Sequence, residues 1–231
     1  MDAARSNIIS KALRDIMLAA RQGGGNPEAN LRLKIAIERA RDANVSLDSI
    51  NRAIKRGTGE GEGTQLEELT YEAYGPGGTA ILIKAATDNR NRTASEIRFI
   101  CSKHGGRMAE VGAVSWMFEQ KGIIEVDKRG MSEDDVLALA IDAGALDMTP
   151  EDDVYQVYTS PSELESVRAK LESGGAKVLS ADLTMVPKTT VTLEGEDAEK
   201  MVRLLEALDE QDDVSEVHTN FDMPEEDAQS E

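Results

Sequence analysis

A single cysteine, Cys101, among 231 residues excludes an intrachain disulfide and agrees with a reducing compartment. Only two histidines are present, His104 and His218, far apart in sequence, and one cysteine cannot form the paired motifs of a structural zinc site. Cys101 and His104 stand at the spacing of one helical face. No oxyanion or orienting motif accompanies them, so Cys101 beside an apolar stripe reads as a small core residue. No apolar run approaches the length that spans a membrane, and the N-terminus has neither a secretory core nor an Arg/Ser-rich transit character. A cytoplasmic location without a membrane partner is expected. The glycine clusters lack the Lys-Ser/Thr of a phosphate-binding loop, and Gly75-Pro76-Gly77-Gly78 precedes a strand rather than a helix. These absences argue against an enzyme, a resident metal or a cofactor.

Charge is plentiful and unevenly placed. The chain carries a net charge of −18 with 40% hydrophobic residues, yet residues 1–56 hold eleven Lys/Arg against six Asp/Glu. The acidic excess lies entirely in the remainder. Such a division fits a basic module that meets a polyanion, or equally a basic domain that docks on its acidic neighbour. Residues 1–56 contain no Phe, Tyr or Trp. That removes the stacking platforms of single-strand binders and leaves phosphate contacts as the expected mode. The candidate nucleic-acid-binding residues are Lys11, Arg14, Arg21, Arg32, Lys34, Arg39, Arg41, Arg52, Lys55 and Arg56. A solvated basic helix face is the competing reading.

Hydrophobic periodicity predicts helices over Ser6–Arg21, with Ile9, Leu13, Ile16, Met17 and Ala20 as a stripe, and over Asn30–Ala43. A third helix follows Ser46 as N-cap, with Val45 and Ile50 as a hydrophobic staple, and stops at Gly57. The polar, glycine-rich run after Gly57 reads as a linker. A turn at Gly75–Gly78 then leads into a buried strand, Thr79–Ala86, and a helix for which Thr93 and Glu96 form a capping-box pattern. Val114–Glu119 is expected to be a strand with Trp116 and Phe118 on one buried face. Residues 122–186 read strand, helix, strand, helix, strand, with N-caps at Ser132 and, ahead of Pro161, Ser160. A strand over Thr189–Leu193, a helix burying Ala198, Met201, Leu205 and Leu208, and a strand over Val214–Phe221 follow. Residues 187–223 thus supply half of a split β-α-β unit, which residues 64–121 complete. The expected fold class is α+β: a three-helix domain with its linker (1–63), a discontinuous ferredoxin-like domain (64–121 plus 187–223), a second ferredoxin-like domain inserted in it (122–186), and an acidic, disordered tail (224–231).

Between the buried strand and its helix lies Asp88-Asn89-Arg90-Asn91-Arg92, without an apolar residue. Two arginines beside a helix N-terminus, where free N–H groups and the dipole favour negative charge, make Asn89, Arg90, Asn91, Arg92 and Thr93 a candidate phosphate or anion site. The alternative is that Arg90 and Arg92 pair with carboxylates of the chain itself.

Several ordered motifs resemble the YebC/PmpR family of probable transcriptional regulators, which includes a mitochondrial translational activator. They are Tyr71-Glu72 with Tyr74-Gly75-Pro76-Gly77-Gly78, Asp88-Asn89-Arg90-Asn91-Arg92-Thr93, and Ser102-Lys103-His104-Gly105-Gly106. Upstream, Gly23-Gly24-Gly25-Asn26-Pro27 and Asn51-Arg52-Ala53-Ile54-Lys55-Arg56-Gly57 match as well. The resemblance implies the same three-domain plan and a non-enzymatic regulator of gene expression that binds DNA. A translational activator working at the ribosome through structured RNA is the alternative it implies, and an acidic protein-interaction scaffold is the alternative from composition. Members usually open with a basic segment containing Gly-His-Ser-Lys-Trp, whereas this chain opens at Met1-Asp2-Ala3-Ala4-Arg5: either the start is assigned too late, or part of the implied nucleic-acid surface is lacking, with a loss of phosphate contacts. A monomer is expected.

Overall fold

The computed structural model describes residues 2–60 and 66–223, with side chains from Asn7 onward. The end of the expected linker and the acidic tail lie outside the described residues. In chain order, α1 (Asp2–Gly23), α2 (Leu31–Asp42) and α3 (Leu47–Gly57) precede β1 (Glu67–Tyr74), β2 (Ala80–Thr87), α4 (Arg90–Lys103) and β3 (Arg107–Met108). Next come β4 (Phe118–Asp127), α5 (Glu133–Ala143), β5 (Asp147–Pro150), β6 (Val154–Thr159), α6 (Leu164–Ser173) and β7 (Val178–Pro187). Last are β8 (Val191–Thr192), α7 (Gly195–Asp209), β9 (Val214–Thr219) and β10 (Phe221–Asp222). Residues up to Met117 and from Pro187 onward form one compact unit, and Phe118–Val186 form a second. The three helices therefore belong to the same unit as the discontinuous sheet. Among the described residues no helix is long and apolar enough to cross a membrane.

The bundle closes over Ile16, Ala19, Ala20, Leu33, Ala36, Ile37, Ala40, Val45, Ile50 and Ala53, while Ile9, Leu13 and Met17 are partly buried at its margin. Asn30 ties two helix ends together. Its Oδ1 accepts from Leu33 N as N-cap of α2, and its Nδ2 donates to Ala19 O and Gly24 O, each at 2.8 Å. Ser46 caps α3 by accepting from Ser49 N, with Val45 and Ile50 buried on either side. Gly57 permits the close crossing of α1 and α3, because a Cβ there would collide with Met17 O.

The sheet of this unit has the order β3-β1-β2-β9, with all adjacent pairs antiparallel. That is the strand order of a ferredoxin-like sheet, with one change in who fills it. The slot between β2 and β3, expected to be taken by residues 189–193, is held by β1. A hairpin through Gly75–Gly78 delivers β1 to β2 at once, with Gly77 at φ 63° in the turn, and so short a closure costs little chain entropy. Residues 191–192, displaced from the main sheet, pair in parallel with β10 instead. Ile81 and Ile83 of β2 face α4 and α7 in a core with Ile97, Cys101, Met201, Leu204 and Leu208. Leu204, one residue before the expected Leu205, is the enclosed position, and Leu205 packs at the edge. The alternate positions Lys84, Glu216 and His218 turn to the other face, where α1 approaches β2 and β9.

No strand spans Val114–Glu119. The carboxylate of Glu72, 6% exposed, accepts from Gly112 N, Val114 N and Ser115 N at 2.6–3.0 Å and gathers that segment into a tight loop. Trp116 consequently falls in a 3-10 turn, Ser115–Met117, with 64% exposure, and only Phe118 enters a strand.

The inserted unit runs β-α-β-β-α-β with sheet order β5-β6-β4-β7, the ferredoxin-like arrangement. Its second strand, β5, supplies the element missing from the sequence pattern. Ile124, Val126, Val136, Ala140, Val157, Leu164, Val167 and Leu171 are enclosed. Ser132 caps α5 by accepting from Asp135 N. Ser160 reaches Glu163 at 2.8 Å, but the regular helix begins only at Leu164, after a turn. Asp127, buried at the end of β4, holds Arg129 and Lys177 at 2.9 Å, and these bonds keep its carboxyl well below the usual range.

Candidate nucleic-acid interface

In the loop offered as a phosphate or anion site, Arg90 and Arg92 pair with carboxylates of the chain itself. Helix α4 starts at Arg90, one turn earlier than the Thr93–Glu96 pattern indicates, because Asn89 acts as N-cap and accepts from Arg92 N at 3.1 Å. Asn89 N in turn donates to Thr87 Oγ1. Thr93 lies inside the first turn, fully buried, with its hydroxyl 2.8 Å from the carboxylate of Asp213. Arg92 Nη2 reaches the same carboxylate at 2.8 Å and Asp88 at 3.1 Å, and Arg14 Nη2 approaches Asp213 at 3.4 Å. Burial alone would raise the Asp213 pKa. The hydrogen bonds from Arg92 and Thr93, with the charges of Arg92 and Arg14, outweigh it and hold the group below the ordinary aspartate range. A bulge in β9 at Ser215, where the register with β2 shifts between Lys84 and Ala85, lets Asp213 O accept from Ala86 N at this spot. Arg90 lies 3.6 Å from Glu67, and Asn91 is exposed.

Nine of the ten basic residues singled out in the bundle divide into two sets, and the tenth, Arg39, is exposed on α2 near Asp15. Lys11 Nζ meets the Asp209 carboxylate at 3.0 Å, Arg14 donates to Asp212 O, Arg21 to Leu66 O, and Arg32 pairs with Glu68 at 2.6 Å. These four are docked on the acidic part of their own unit. Behind them, Asp15 is pushed up to about 6 by burial and by the nearby Glu216 carboxylate, against the pull of Arg39 and Arg32. Glu216 itself is drawn down to about 2: burial opposes this, but His218 and Lys84 at 2.9–3.0 Å prevail. The other set faces outward. Arg41, Arg52, Lys55 and Arg56 are exposed and Lys34 is half-buried; Arg52 makes only an exposed pair with Asp48 at 2.7 Å. Arg52, Lys55 and Arg56 share one face of α3 by spacing. Arg52, Arg56 and Ser49 rim a shallow groove of about 190 Å³ floored by Leu13, Met17 and Ala53.

The sequence reading missed the acidic turn 209–213 as the partner of α1. A signal was there. Asp209 and Glu210 stand at the C-terminal end of α7, where the helix dipole disfavours negative charge and where no basic residue occupies the last turn. Acids in that position favour a cation from elsewhere: Lys11 supplies it to Asp209, while Arg14 reaches Asp212 O and the Asp213 carboxylate further along the turn. The reading also left Phe99 unremarked, although it lies 67% exposed on α4. Cys101 is fully enclosed, and burial pushes its thiol up to about 11, so it carries no thiolate at neutral pH. Among the described residues no group of three or more metal-ligating side chains converges.

Comparison with known proteins joins this geometry to a family. The profile described as TACO1/YebC protein N-terminal domain matches residues 1–60, and the one described as TACO1/YebC second and third domain matches residues 66–221. A "probable transcriptional regulatory protein" of Pelotomaculum thermopropionicum is 52% identical over 225 residues, covering 96% of this chain and 93% of that protein. One of the same description from Thermotoga maritima is 49% identical over 223 residues, covering 96% of this chain and 88% of its own length. The crystal structure of a conserved hypothetical protein from Aquifex aeolicus superposes with a TM-score of 0.90 at 48% identity, covering 99% of this chain and 95% of that one. With both profiles matched in order and half the residues shared with such relatives, the chain belongs to the TACO1/YebC family.

Proposed function

We propose that the protein is a non-catalytic regulator of gene expression that binds duplex DNA through the outward basic face of its three-helix bundle. Relatives named as probable transcriptional regulatory proteins support the regulatory part. The observation that carries the DNA-binding part is the division of the basic residues. Lys11, Arg14, Arg21 and Arg32 are consumed by internal carboxylates or carbonyls, whereas Lys34, Arg41, Arg52, Lys55 and Arg56 remain at the surface. The bundle contributes charge without aromatic rings, so its contacts are to phosphates and position the duplex rather than read bases. The buried, protonated Cys101 supports a role without covalent catalysis. Fluorescence anisotropy with a labelled duplex over a range of salt tests this. Charge reversal at Arg52 and Arg56 together is expected to weaken binding and to lower the slope of log affinity against log salt by about 2. Reversal at Lys11, already paired, is expected to leave that slope nearly unchanged. Equal affinity for the parent and the Arg52/Arg56 variant would remove the α3 face from the proposal.

A further inference from the structure

The bundle lacks aromatics, but α4 presents one where a ligand could meet it. Asn91, Ser95, Arg98, Phe99 and Ser102 recur at i, i+4, i+7, i+8 and i+11, so they share one side of the helix, and all five are exposed. The buried side is complete without them, formed by Thr93, Ile97 and Cys101. Phe99 is 67% exposed beside a shallow depression of about 410 Å³ shaped by Ser95, Glu96, Ile100 and Gln211. The depression itself is apolar, and polar and cationic side chains flank it along the helix. The helix holds four basic residues, Arg90, Arg92, Arg98 and Lys103, and one acid, Glu96, in a chain of net charge −18. Arg90 and Arg92 are engaged by Glu67, Asp88 and Asp213. Glu96 is engaged by the Gln211 side chain. Arg98 and Lys103 are exposed and make no ion pair among the described residues.

One aromatic and a small apolar depression, bordered by serines, an asparagine and free cations, fall short of the contiguous apolar patch that a protein partner would call for. It suits a polyanion whose bases are unpaired: a ring for a base face, a guanidinium and an ammonium for phosphates, hydroxyls and an amide for base edges. A closed duplex offers the ring no base face. We propose that the exposed side of α4 binds single-stranded nucleic acid, with one base stacked on Phe99 and flanking phosphates held by Arg98 and Lys103. This rests on the nucleic-acid reading given above but assigns a second surface, distinct from the α3 face and selective for the unpaired strand.

The test uses the full chain with a labelled oligouridine of about 12 nucleotides and, in parallel, a labelled mixed-sequence duplex, both read by anisotropy. Phe99→Ala is expected to weaken single-strand binding about tenfold while Phe99→Tyr retains it. Arg98→Glu should lower the salt slope for the single strand by about 1. Introducing Phe99→Trp together with Trp116→Phe places the only indole on the stripe, and its emission should quench as the strand binds. Because the ring is exposed, thermal melting by circular dichroism should be unchanged in all of these variants. Parent-like single-strand affinity in both Phe99→Ala and Arg98→Glu would overturn the proposal. So would a loss in Phe99→Ala confined to the duplex, which would make α4 a groove-reading helix. Duplex binding that falls only with Arg52 and Arg56 reversed, beside a single strand indifferent to Phe99, would sink this inference and leave the α3 face standing. No binding of either probe by the parent would sink both.

Discussion

Replacing Asp15 by asparagine is expected to stabilise the protein at neutral pH and to do little near pH 4. The Asp15 carboxyl sits between α1 and the sheet, where burial first, and then Glu216, raise its pKa from 3.8 to about 6. A carboxyl with a folded pKa above its unfolded one binds its proton more tightly in the folded state. Stability therefore falls as pH rises through the interval from about 4 to about 6, and the penalty is fully present above it. About two pK units at ~1.4 kcal/mol each give a penalty of about 3 kcal/mol at pH 7. Asparagine has nearly the same size and no charge to desolvate. Its gain is reduced by whatever attraction Arg32 and Arg39 lose, although Arg32 keeps Glu68 at 2.6 Å. A net gain of about 1–3 kcal/mol at pH 7, shrinking to within about 0.5 kcal/mol near pH 4, is the expected outcome. Urea unfolding followed by far-ultraviolet circular dichroism, on parent and variant at intervals from about pH 4 to about pH 7, measures it. A difference that does not change with pH, or a variant less stable than the parent at pH 7, would refute burial of a charge as the controlling effect.

Asp213→Asn should behave in the opposite sense. Asp213 has a depressed pKa, so its contribution is present above the unfolded value near 3.9, is lost as pH falls through the folded value, and should be missing from the variant at neutral pH, with a loss of about 2 kcal/mol read from urea midpoints. Gly57→Ala should cost about 2 kcal/mol or more, since the new methyl would meet the backbone at Met17 O and force α1 and α3 apart; a melting temperature equal to the parent's would contradict the close crossing. Glu72→Gln replaces an acceptor of three backbone N–H groups with an amide that cannot accept them all. Amide hydrogen exchange at Gly112, Val114 and Ser115 should accelerate by at least about tenfold while β2 stays protected.

What the sequence disclosed depended on how far away the partner was. Ser46 with Ile50, and Ser132 with Asp135, act within one helical turn, and both caps were legible. The sequence pattern puts the N-cap of α4 at Thr93, and the structure places it at Asn89. The choice between them depends on Asp213, which draws the Thr93 hydroxyl inward from 120 residues away. The β1 segment, EELTYEAY, alternates Leu69, Tyr71 and Ala73 with Glu68, Thr70 and Glu72, a legible half-buried strand pattern that went unread, whereas the use of Glu72 on a distant loop is not encoded locally. The β5 segment is four residues long, mostly polar and closed by a proline, so only its pairing with β6 marks it as a strand. The basic side chains were identifiable as basic and no further. Whether Lys11 faces solvent or Asp209 is decided across 198 residues, which no local pattern encodes.

The insertion of Phe118–Val186 also sets a timetable for synthesis. β2 is apolar on both faces, yet its outer neighbour β9 lies far downstream; Lys84 and Glu216, which pair across them, are 132 residues apart. At ordinary elongation rates of about 5–20 residues per second the ribosome needs on the order of ten seconds to make that intervening chain. Through this interval the nascent hairpin carries an open, hydrophobic strand edge, the kind of edge that invites pairing with another chain. The inserted unit can complete its own sheet while the wait lasts, because all four of its strands lie between Phe118 and Pro187. Its two ends then meet at a hydrogen bond from Lys188 N to Met117 O, so a folded insert returns the chain to where it left. The late strand thus starts its search close to β2, and prompt folding of the insert shortens the period in which the edge is exposed.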